Sequence, residues 1–307
     1  MKEKLIVVAG PTAVGKTKTS VELAKALNGE VISGDSMQIY RKLDIGTAKI
    51  TKQEMEGIPH HLIDIKDPHE SFSAAEFQTR ASKLITEING RGKVPIIAGG
   101  TGLYIRAVTH GYEFNSSGSN PEMRKQFEKA AEEQGGEHLH RLLIERNPVA
   151  ASQIHPNNVR RVIRALEISY AGTADEGGTK NAGTPYELAM VGLEMERSRL
   201  YERINERVDL MFKQGLLKEA KWLFDQHIEG SQSVLAIGYK ELFPYFRQEM
   251  TLDEAAELLK RNSRRYAKRQ LTWFKNQTDA TWFDMGEKPF HEKFNEILYF
   301  VEGEITK

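Results

Sequence analysis

The stretch Gly10-Pro11-Thr12-Ala13-Val14-Gly15-Lys16-Thr17 constrains this chain more than any other. It follows the apolar run Leu5-Ile6-Val7-Val8-Ala9, short and β-branched as a buried parallel strand requires. Lys18 to Leu27 comes next, with Val21, Leu23, Leu27 and several alanines, which predicts a helix. Strand, G-x-x-x-x-G-K-T and helix form the context in which such a loop binds phosphate. The glycines let successive N–H groups point inward as an anion nest, and the helix N-terminus adds partial positive charge. Lys16 brings a full charge on a flexible stem, and the Thr17 hydroxyl can ligate a divalent cation. The stretch Gly10, Pro11, Thr12, Ala13, Val14, Gly15, Lys16 and Thr17 is therefore expected to hold a di- or triphosphate. The plainer alternative, a chance glycine-rich turn before a helix, fits the flanking pattern poorly.

Further strand and loop units follow. Glu30-Val31-Ile32-Ser33 predicts a second strand, ending at Gly34-Asp35-Ser36-Met37-Gln38. Ligands of open α/β sheets sit at the carboxyl ends of strands, so Asp35 is expected to face the same crevice as the phosphate loop. His60 to Ile65 predicts a short strand whose adjacent histidines point to opposite sides, which disfavours a shared metal. Ser73 and Glu76 make a capping-box pattern before Phe77, Ala81, Leu84, Ile85 and Ile88 at helical spacing. Val94 to Ala98 predicts another core strand, closing on Gly99-Gly100-Thr101-Gly102 before a further helix. An ATPase would be expected to close such a strand on an aspartate that handles magnesium. The predicted class is α/β: a P-loop NTPase-like parallel sheet flanked by helices, with a helical insertion domain.

The character of the chain changes near Tyr112. Charged helices are expected at 122–133, 138–146 and 158–170, between polar stretches at Asn115–Pro121 and Ala171–Pro185. Residues 113–195 thus read as an insertion domain between a first core part, 1–112, and a second, 196–307. Within it, Val191-Gly192-Leu193 is expected to return the chain to the sheet. Arg197 to Leu217 predicts one long helix, with Arg203 and Arg207 four apart on one face. Ala256, Leu259, Ala267, Leu271 and Phe274 give the helix Leu252–Phe274 an apolar stripe.

Charge sharpens the functional reading. The 307 residues hold 43 basic and 43 acidic side chains, so any affinity for nucleic acid must come from local patches. Two stand out. Arg160, Arg161 and Arg164 share a sector of about 100° on one helix. Between Lys260 and Lys275 there are seven Lys and Arg and no acid, with Tyr266, Trp273 and Phe274 interleaved. A basic helix face is often only solvated surface, but cations with aromatics at this density suit phosphate contact and base stacking on RNA. Cysteine is absent, which suits a reducing cytoplasm. No apolar run approaches the ~20 residues of a membrane span, and no signal-peptide pattern is present. A soluble, cytoplasmic, monomeric protein is expected.

Taken together, G-P-T-A-V-G-K-T, S-G-D-S-M-Q-I-Y-R-K-L-D-I-G-T-A-K, H-H-L-I-D-I-K-D-P, G-G-T-G-L-Y, I-H-P-N-N-V-R-R-V-I-R-A-L-E, A-I-G-Y-K-E-L and Y-A-K-R-Q-L-T-W-F span nearly the whole chain in order. Their combination resembles the bacterial tRNA dimethylallyltransferases (tRNA isopentenyltransferases), with Gly34 where that family is expected to carry alanine. The resemblance implies transfer of a prenyl group from dimethylallyl diphosphate to N6 of adenosine 37, beside the tRNA anticodon. It also implies that ATP is not consumed and that the P-loop holds a diphosphate leaving group. It assigns catalysis to Asp35, Thr17, Thr101 and an arginine, Arg203 first and Arg207 second. It assigns tRNA contact to Asp35, Ser36, Met37, Gln38, Thr101, Arg160, Arg161, Val162, Ile163 and Arg164. Mg2+ on Thr17 is the implied cofactor. Three other readings share parts of the pattern: a P-loop kinase for a nucleoside or small alcohol, a prenyltransferase acting on free AMP or ADP, and a nucleotide-gated RNA-binding protein without chemistry.

Overall fold

The computed structural model describes residues 2–112, 121–171, 183–228 and 230–305. They belong to two compact units, Met1–Gly111 with Gly183–Lys307, and Tyr112–Ala182. The expected polar stretches around 115–120 and 172–182 lie outside the described residues.

The larger unit is built on strands β1 (Glu3–Ala9), β2 (Gly29–Ser33), β3 (His60–His61), β4 (Val94–Gly99), β5 (Tyr186–Glu194) and β6 (Thr281–Asp284). They form one sheet in the order β3-β2-β4-β1-β5-β6, and every pairing is parallel. Two-sided burial explains the unbroken apolar run of β1. Leu5, Val7 and Ala9 enter one core layer and Ile6 and Val8 the other, all at 0% exposure. Register then fixes the functional edge. Ala9 lies opposite Gly99 and Gly192, and Ser33 lies opposite Ala98. The loops after β1, β2 and β4 therefore leave the sheet side by side, where the strand order reverses.

Helices α1 (Lys16–Ala26), α2 (Lys52–Met55) and α3 (Ala74–Gly90) connect the first four strands, and α4 (Gly102–Thr109) follows β4. Ser73 caps α3 by accepting from Glu76 N–H, but the expected capping box is only half formed, because the Glu76 carboxylate pairs with Arg80 and Lys66. The insertion unit holds α5 (Pro121–Gln134), α6 (Gly136–Arg146), α7 (Pro148–Gln153) and α8 (Val159–Tyr170). Its own core is made by Leu139, Leu143, Ala150, Ala151, Val162, Ile163, Ala165 and Leu166. The insertion unit ends at Ala182, not at 195, because Tyr186–Glu194 pairs along β1 and belongs to the sheet.

After β5 come α9 (Arg197–Gln214), α10 (Leu216–Phe224), α11 (Phe243–Phe246), α12 (Leu252–Gln277) and α13 (Phe290–Ile305). The helix expected over 197–217 is two helices, broken at Gly215, whose φ of 103° is a left-handed conformation that suits glycine. The strand expected over His60–Ile65 stops at His61, since Leu62 and Asp64 have φ of 60° and 55°. Neither β6 nor α13 is evident from the sequence. β6 spans four residues, and the buried stripe of α13, Lys293, Ile297, Val301 and Ile305, begins with a lysine. That lysine is neutralised by Glu296 at 2.8 Å and Glu287 at 3.2 Å.

The D-I-G-T-A-K and A-I-G-Y-K-E-L stretches lock onto each other through Glu219 of α10. Its carboxylate accepts from the backbone N–H groups of Asp44, Ile45 and Gly46 at 2.9–3.0 Å and from the Tyr239 hydroxyl at 2.7 Å. Tyr239 is fully buried, and a Cβ on Gly46 would lie 2.5 Å from its ring. Hydrogen bonds to a charged group contribute about 1.5–3 kcal/mol each, and orphaning the donors adds a desolvation cost. Glu219→Ala is therefore expected to lower stability by more than about 3 kcal/mol in a urea titration, and Tyr239→Phe by about 1.5–3 kcal/mol. An unchanged midpoint in Glu219→Ala would contradict this account of the two stretches.

Candidate functional site

The expected phosphate loop sits where β1 meets α1. Gly10 has φ of 149°, and a Cβ there would stand 2.5 Å from the Leu193 carbonyl oxygen, so β5 leaves no space for a side chain. Ala13 at φ 65° and Gly15 at φ 113° then turn the backbone through left-handed conformations, the geometry that aims successive N–H groups inward. Val14 is buried in the core and anchors the loop. Thr17 is exposed in the first turn of α1, and its hydroxyl makes no hydrogen bond among the described residues. Lys16 Nζ donates to the Pro11 carbonyl at 2.7 Å. Burial lowers the Lys16 pKa to about 8, with Asp35 pulling the other way and Arg207 adding to the depression.

The second loop carries Asp35. Its Oδ1 accepts from Met37 N–H at 2.8 Å, which closes the turn after β2 and leaves Oδ2 without a hydrogen bond among the described residues. Gln38 turns inward: its side-chain oxygen accepts from Ser33 Oγ at 3.0 Å and its amide nitrogen donates to Ala48 O at 3.3 Å. The third loop follows β4. Thr101 accepts from Ser36 N–H at 3.1 Å through its hydroxyl, tying the third loop to the second. The glycines of this loop serve close packing: a Cβ on Gly99 would meet Gly34 O at 2.3 Å, and one on Gly102 would meet the Trp273 ring at 2.1 Å. An alanine at position 34, by contrast, would press only on an Ile97 methyl at 3.1 Å.

Two helices close the site. On α9, Arg207 is half-buried and within the fields of Asp35, Glu54 and Lys16, and burial holds its pKa below the usual arginine range. Arg203 is exposed, while Arg207 lies close enough to Lys16 to add to the lowering of its pKa. On α12 the buried residues are Ala255, Leu259, Ala267, Gln270 and Phe274. Gln270 replaces Leu271 in the expected stripe and faces the loops. Its Oε1 accepts from Thr12 N–H at 3.0 Å, and its Nε2 donates to Gly100 O at 3.0 Å. Tyr266, one turn earlier, has its phenol among Asp35, Arg269, Gln270 and Thr101, and burial, then Asp35, pushes its pKa up to about 12. Sequence reasoning missed Gln270 and Tyr266 as site residues; a glutamine in phase with an apolar stripe was the available signal.

Arg160 and Arg161 are exposed on α8. Arg164 pairs with the buried Glu167 at 3.3 Å, and Glu167 also takes Arg124 at 2.8 Å. Val162 and Ile163, expected to touch RNA, are 0% and 3% exposed in the insertion core, so their side chains hold the helix in place instead. On α12, Lys260 is neutralised by Asp209 at 2.8 Å and Lys275 by Glu194 at 2.5 Å, while Arg264 donates to Asn205 at 2.6 Å. Arg261, Arg265, Lys268 and Arg269 remain exposed. The described residues contain no cluster of three or more His, Cys, Asp or Glu that could hold a metal, and no helix long and apolar enough to cross a membrane.

The sequence model of the family described as IPP transferase matches residues 38–277. A tRNA dimethylallyltransferase from Halalkalibacterium halodurans is 56% identical over 311 residues, covering 100% of this chain and 99% of that protein. One from Bacillus anthracis is 55% identical over 307 residues, covering 99% and 97%. Among solved structures, the chain is similar to the full-length tRNA isopentenylpyrophosphate transferase from Bacillus halodurans, with a TM-score of 0.77 and 56% identity over 99% of this chain and 97% of that one. It is also similar to a eukaryotic dimethylallyltransferase acting on tRNA, with a TM-score of 0.78 and 31% identity over 93% of this chain and 74% of that one.

A lysine whose free pKa is about 8 makes a pH prediction for anion binding. A bound diphosphate raises that pKa, so Lys16 contributes fully below pH 8 and progressively less above it, by up to tenfold per unit. The ratio of inorganic diphosphate affinities, wild type over Lys16→Gln, should be flat below pH 8 and fall above it in calorimetric titrations. The ligand's own ionisation cancels in this ratio. A ratio flat to pH 10 would contradict the placement of Lys16 in the nest.

Proposed function

The chain belongs to the IPP transferase family, and from that premise we propose that it transfers a dimethylallyl group from dimethylallyl diphosphate to N6 of adenosine 37 in the tRNA anticodon loop, releasing diphosphate. The observation that carries this reading is one carboxylate, Asp35, in the field of Lys16 and Arg207 at the mouth of a phosphate loop. Of the strands flanking β1, β4 closes on Gly99 and β5 ends at Glu194, which is held by Lys275. The usual magnesium-handling aspartate of an ATP-hydrolysing site is thus replaced by close-packed glycine, which suits a loop that holds a leaving group.

In the reaction the allylic C–O bond breaks as negative charge grows on the diphosphate, and a bond forms from adenine N6 to the same carbon. Inward N–H groups of residues 13–17, Lys16 and Arg207 meet that charge already oriented, and such preorganisation is usually the largest single term in catalysis. The exocyclic amine is a poor nucleophile because its lone pair is delocalised, and it must lose a proton as the new bond forms. Asp35, pinned through Oδ1 to Met37 N–H, offers its other oxygen to that proton. Thr101, fixed to Ser36, orients the base beside it. Thr17, with its exposed hydroxyl, is the residue that would hold Mg2+ here. When bound it would neutralise part of the leaving group's charge.

The tRNA contacts follow from exposure. On α12, Arg261, Arg265, Lys268 and Arg269 address backbone phosphates, as do Arg160 and Arg161 of the insertion unit. Ser36 and Met37, half-buried after β2, meet the incoming nucleotide. An anticodon-loop base is already unpaired, so seating it costs less than flipping one from a duplex.

Incubation with labelled dimethylallyl diphosphate and unmodified tRNA, with AMP in a parallel tube, tests the reading. Label is expected in tRNA alone. Label in AMP would place the chain with prenyltransferases of free nucleotides, and label in neither would overturn the proposal. Asp35→Asn, which keeps the Oδ1 acceptor, should lower kcat by about 10²–10⁴ with tRNA affinity within a few-fold. For the RNA surface, Arg265→Ala/Lys268→Ala should weaken tRNA binding and flatten its log affinity against log salt by about 0.7–0.9 per lost contact. An unchanged slope in filter binding would reduce that face to solvated surface.

A further inference from the structure

We infer that Gln270 is a positioning residue for the transfer reaction, a buried clip that fixes the diphosphate loop and the Thr101 loop as one unit. Hydrogen bonding in the sheet aligns β1 with β4 only as far as Ala9 and Gly99. The next turns of the two loops lie past that ladder, with a Cβ on Gly100 3.5 Å from the Gly10 carbonyl oxygen. Gln270, 6% exposed, spans them where the ladder stops. The fit is close on both sides, since a Cβ on Gly100 would fall 2.1 Å from Gln270 Nε2.

Primary amides suit this place because one end accepts and the other donates. A carboxylate could accept from Thr12 N–H, but it would face the Gly100 carbonyl with a second acceptor and set negative charge beside the departing diphosphate. A thioether of the same length would leave both backbone groups unpaired. Gln270 touches neither substrate in this scheme. It acts through Thr12 and Gly100, and so through the relative position of the phosphate nest and the Thr101 hydroxyl. A reaction that must align N6, the allylic carbon and the leaving oxygen loses about 10²-fold for a displacement near 1 Å.

The inference rests on the prenyl-transfer reading for its kinetics and on the two hydrogen bonds for its geometry. Its test compares Gln270→Glu and Gln270→Met with wild type by steady-state rates per folded enzyme, with circular dichroism giving the folded fraction at each pH. Gln270→Met is expected to lose about 10²-fold in kcat with both KM values within a few-fold. Gln270→Glu should match that loss at high pH and recover relative to wild type as pH falls, because the protonated acid has the shape and the donor of the amide. Ionisations shared with wild type cancel in the ratio, and the Gln270→Met ratio should stay flat with pH. Near-wild-type kcat in both variants, or a loss in Gln270→Glu that does not recover with acid, would overturn the inference. Should Gln270→Met fail to fold, the pH response of Gln270→Glu alone decides. Affinity for inorganic diphosphate, measured in parallel, should show the same acid recovery in Gln270→Glu. A wild type that transfers no prenyl group to tRNA would sink the functional reading, while this binding arm still tests the clip.

Discussion

At the carboxyl edge of the sheet there is almost no room for side chains, and the site depends on that. Three loops must leave β1, β2 and β4 close enough for one phosphate nest, one carboxylate and one hydroxyl to address the same pair of reacting groups. Backbone has to meet backbone for this. Gly10 lies under the Leu193 carbonyl, Gly99 against Gly34, Gly100 against the Gln270 amide and Gly102 against the Trp273 ring, with room for a Cβ at none of them. A single methyl at Gly99 would meet the Gly34 carbonyl at 2.3 Å, far inside van der Waals contact, and would drive the second and third loops apart. What reads in sequence as a pair of glycine-rich loops is therefore one phosphate nest and one packing surface.

Once the loops converge, electrostatics follows. Lys16 and Arg207 are cations whose pKa values burial lowers, and each feels Asp35. Lys16, Arg207 and Arg203 stand against Asp35 and Glu54, so the site is short of negative charge, which a diphosphate would supply. Charges held this way interact more strongly than in water because their surroundings cannot reorient to screen them. Asp35 is fixed by Met37 N–H and Thr101 by Ser36 N–H, so in the proposed reaction base and leaving group would be addressed from adjoining turns. Farther back, Glu219 binds the backbone of residues 44–46 and the Tyr239 hydroxyl, holding the segment that follows Gln38.

Much of this was legible in the sequence because the signals are local. β1, β2 and β4 show as apolar runs, the nest as G-x-x-x-x-G-K-T, and the edge position of Asp35 and Thr101 as strand ends. What could not be read there depends on tertiary contact. Gln270 sits in phase with Ala267 and Phe274, yet a polar residue in an apolar stripe looks like an interruption until its two backbone partners are seen. Arg203 and Arg207 are equivalent by periodicity, and only the packing of α9 separates the exposed one from the half-buried one. Val162 and Ile163 lie beside arginines in the chain but point into the insertion core. Lys260 and Lys275 lose their apparent freedom to acids far away in sequence, Asp209 and Glu194.

The central claim is that a P-loop here holds a leaving group and hydrolyses nothing. Phosphorus NMR of a reaction containing enzyme, Mg2+, dimethylallyl diphosphate and unmodified tRNA, with all nucleoside triphosphates removed, tests it directly. One diphosphate should appear for each prenyl group found in tRNA, with no orthophosphate and no change on adding ATP. Orthophosphate formed in step with the modified base, or a reaction that starts only when ATP is supplied, would contradict the account.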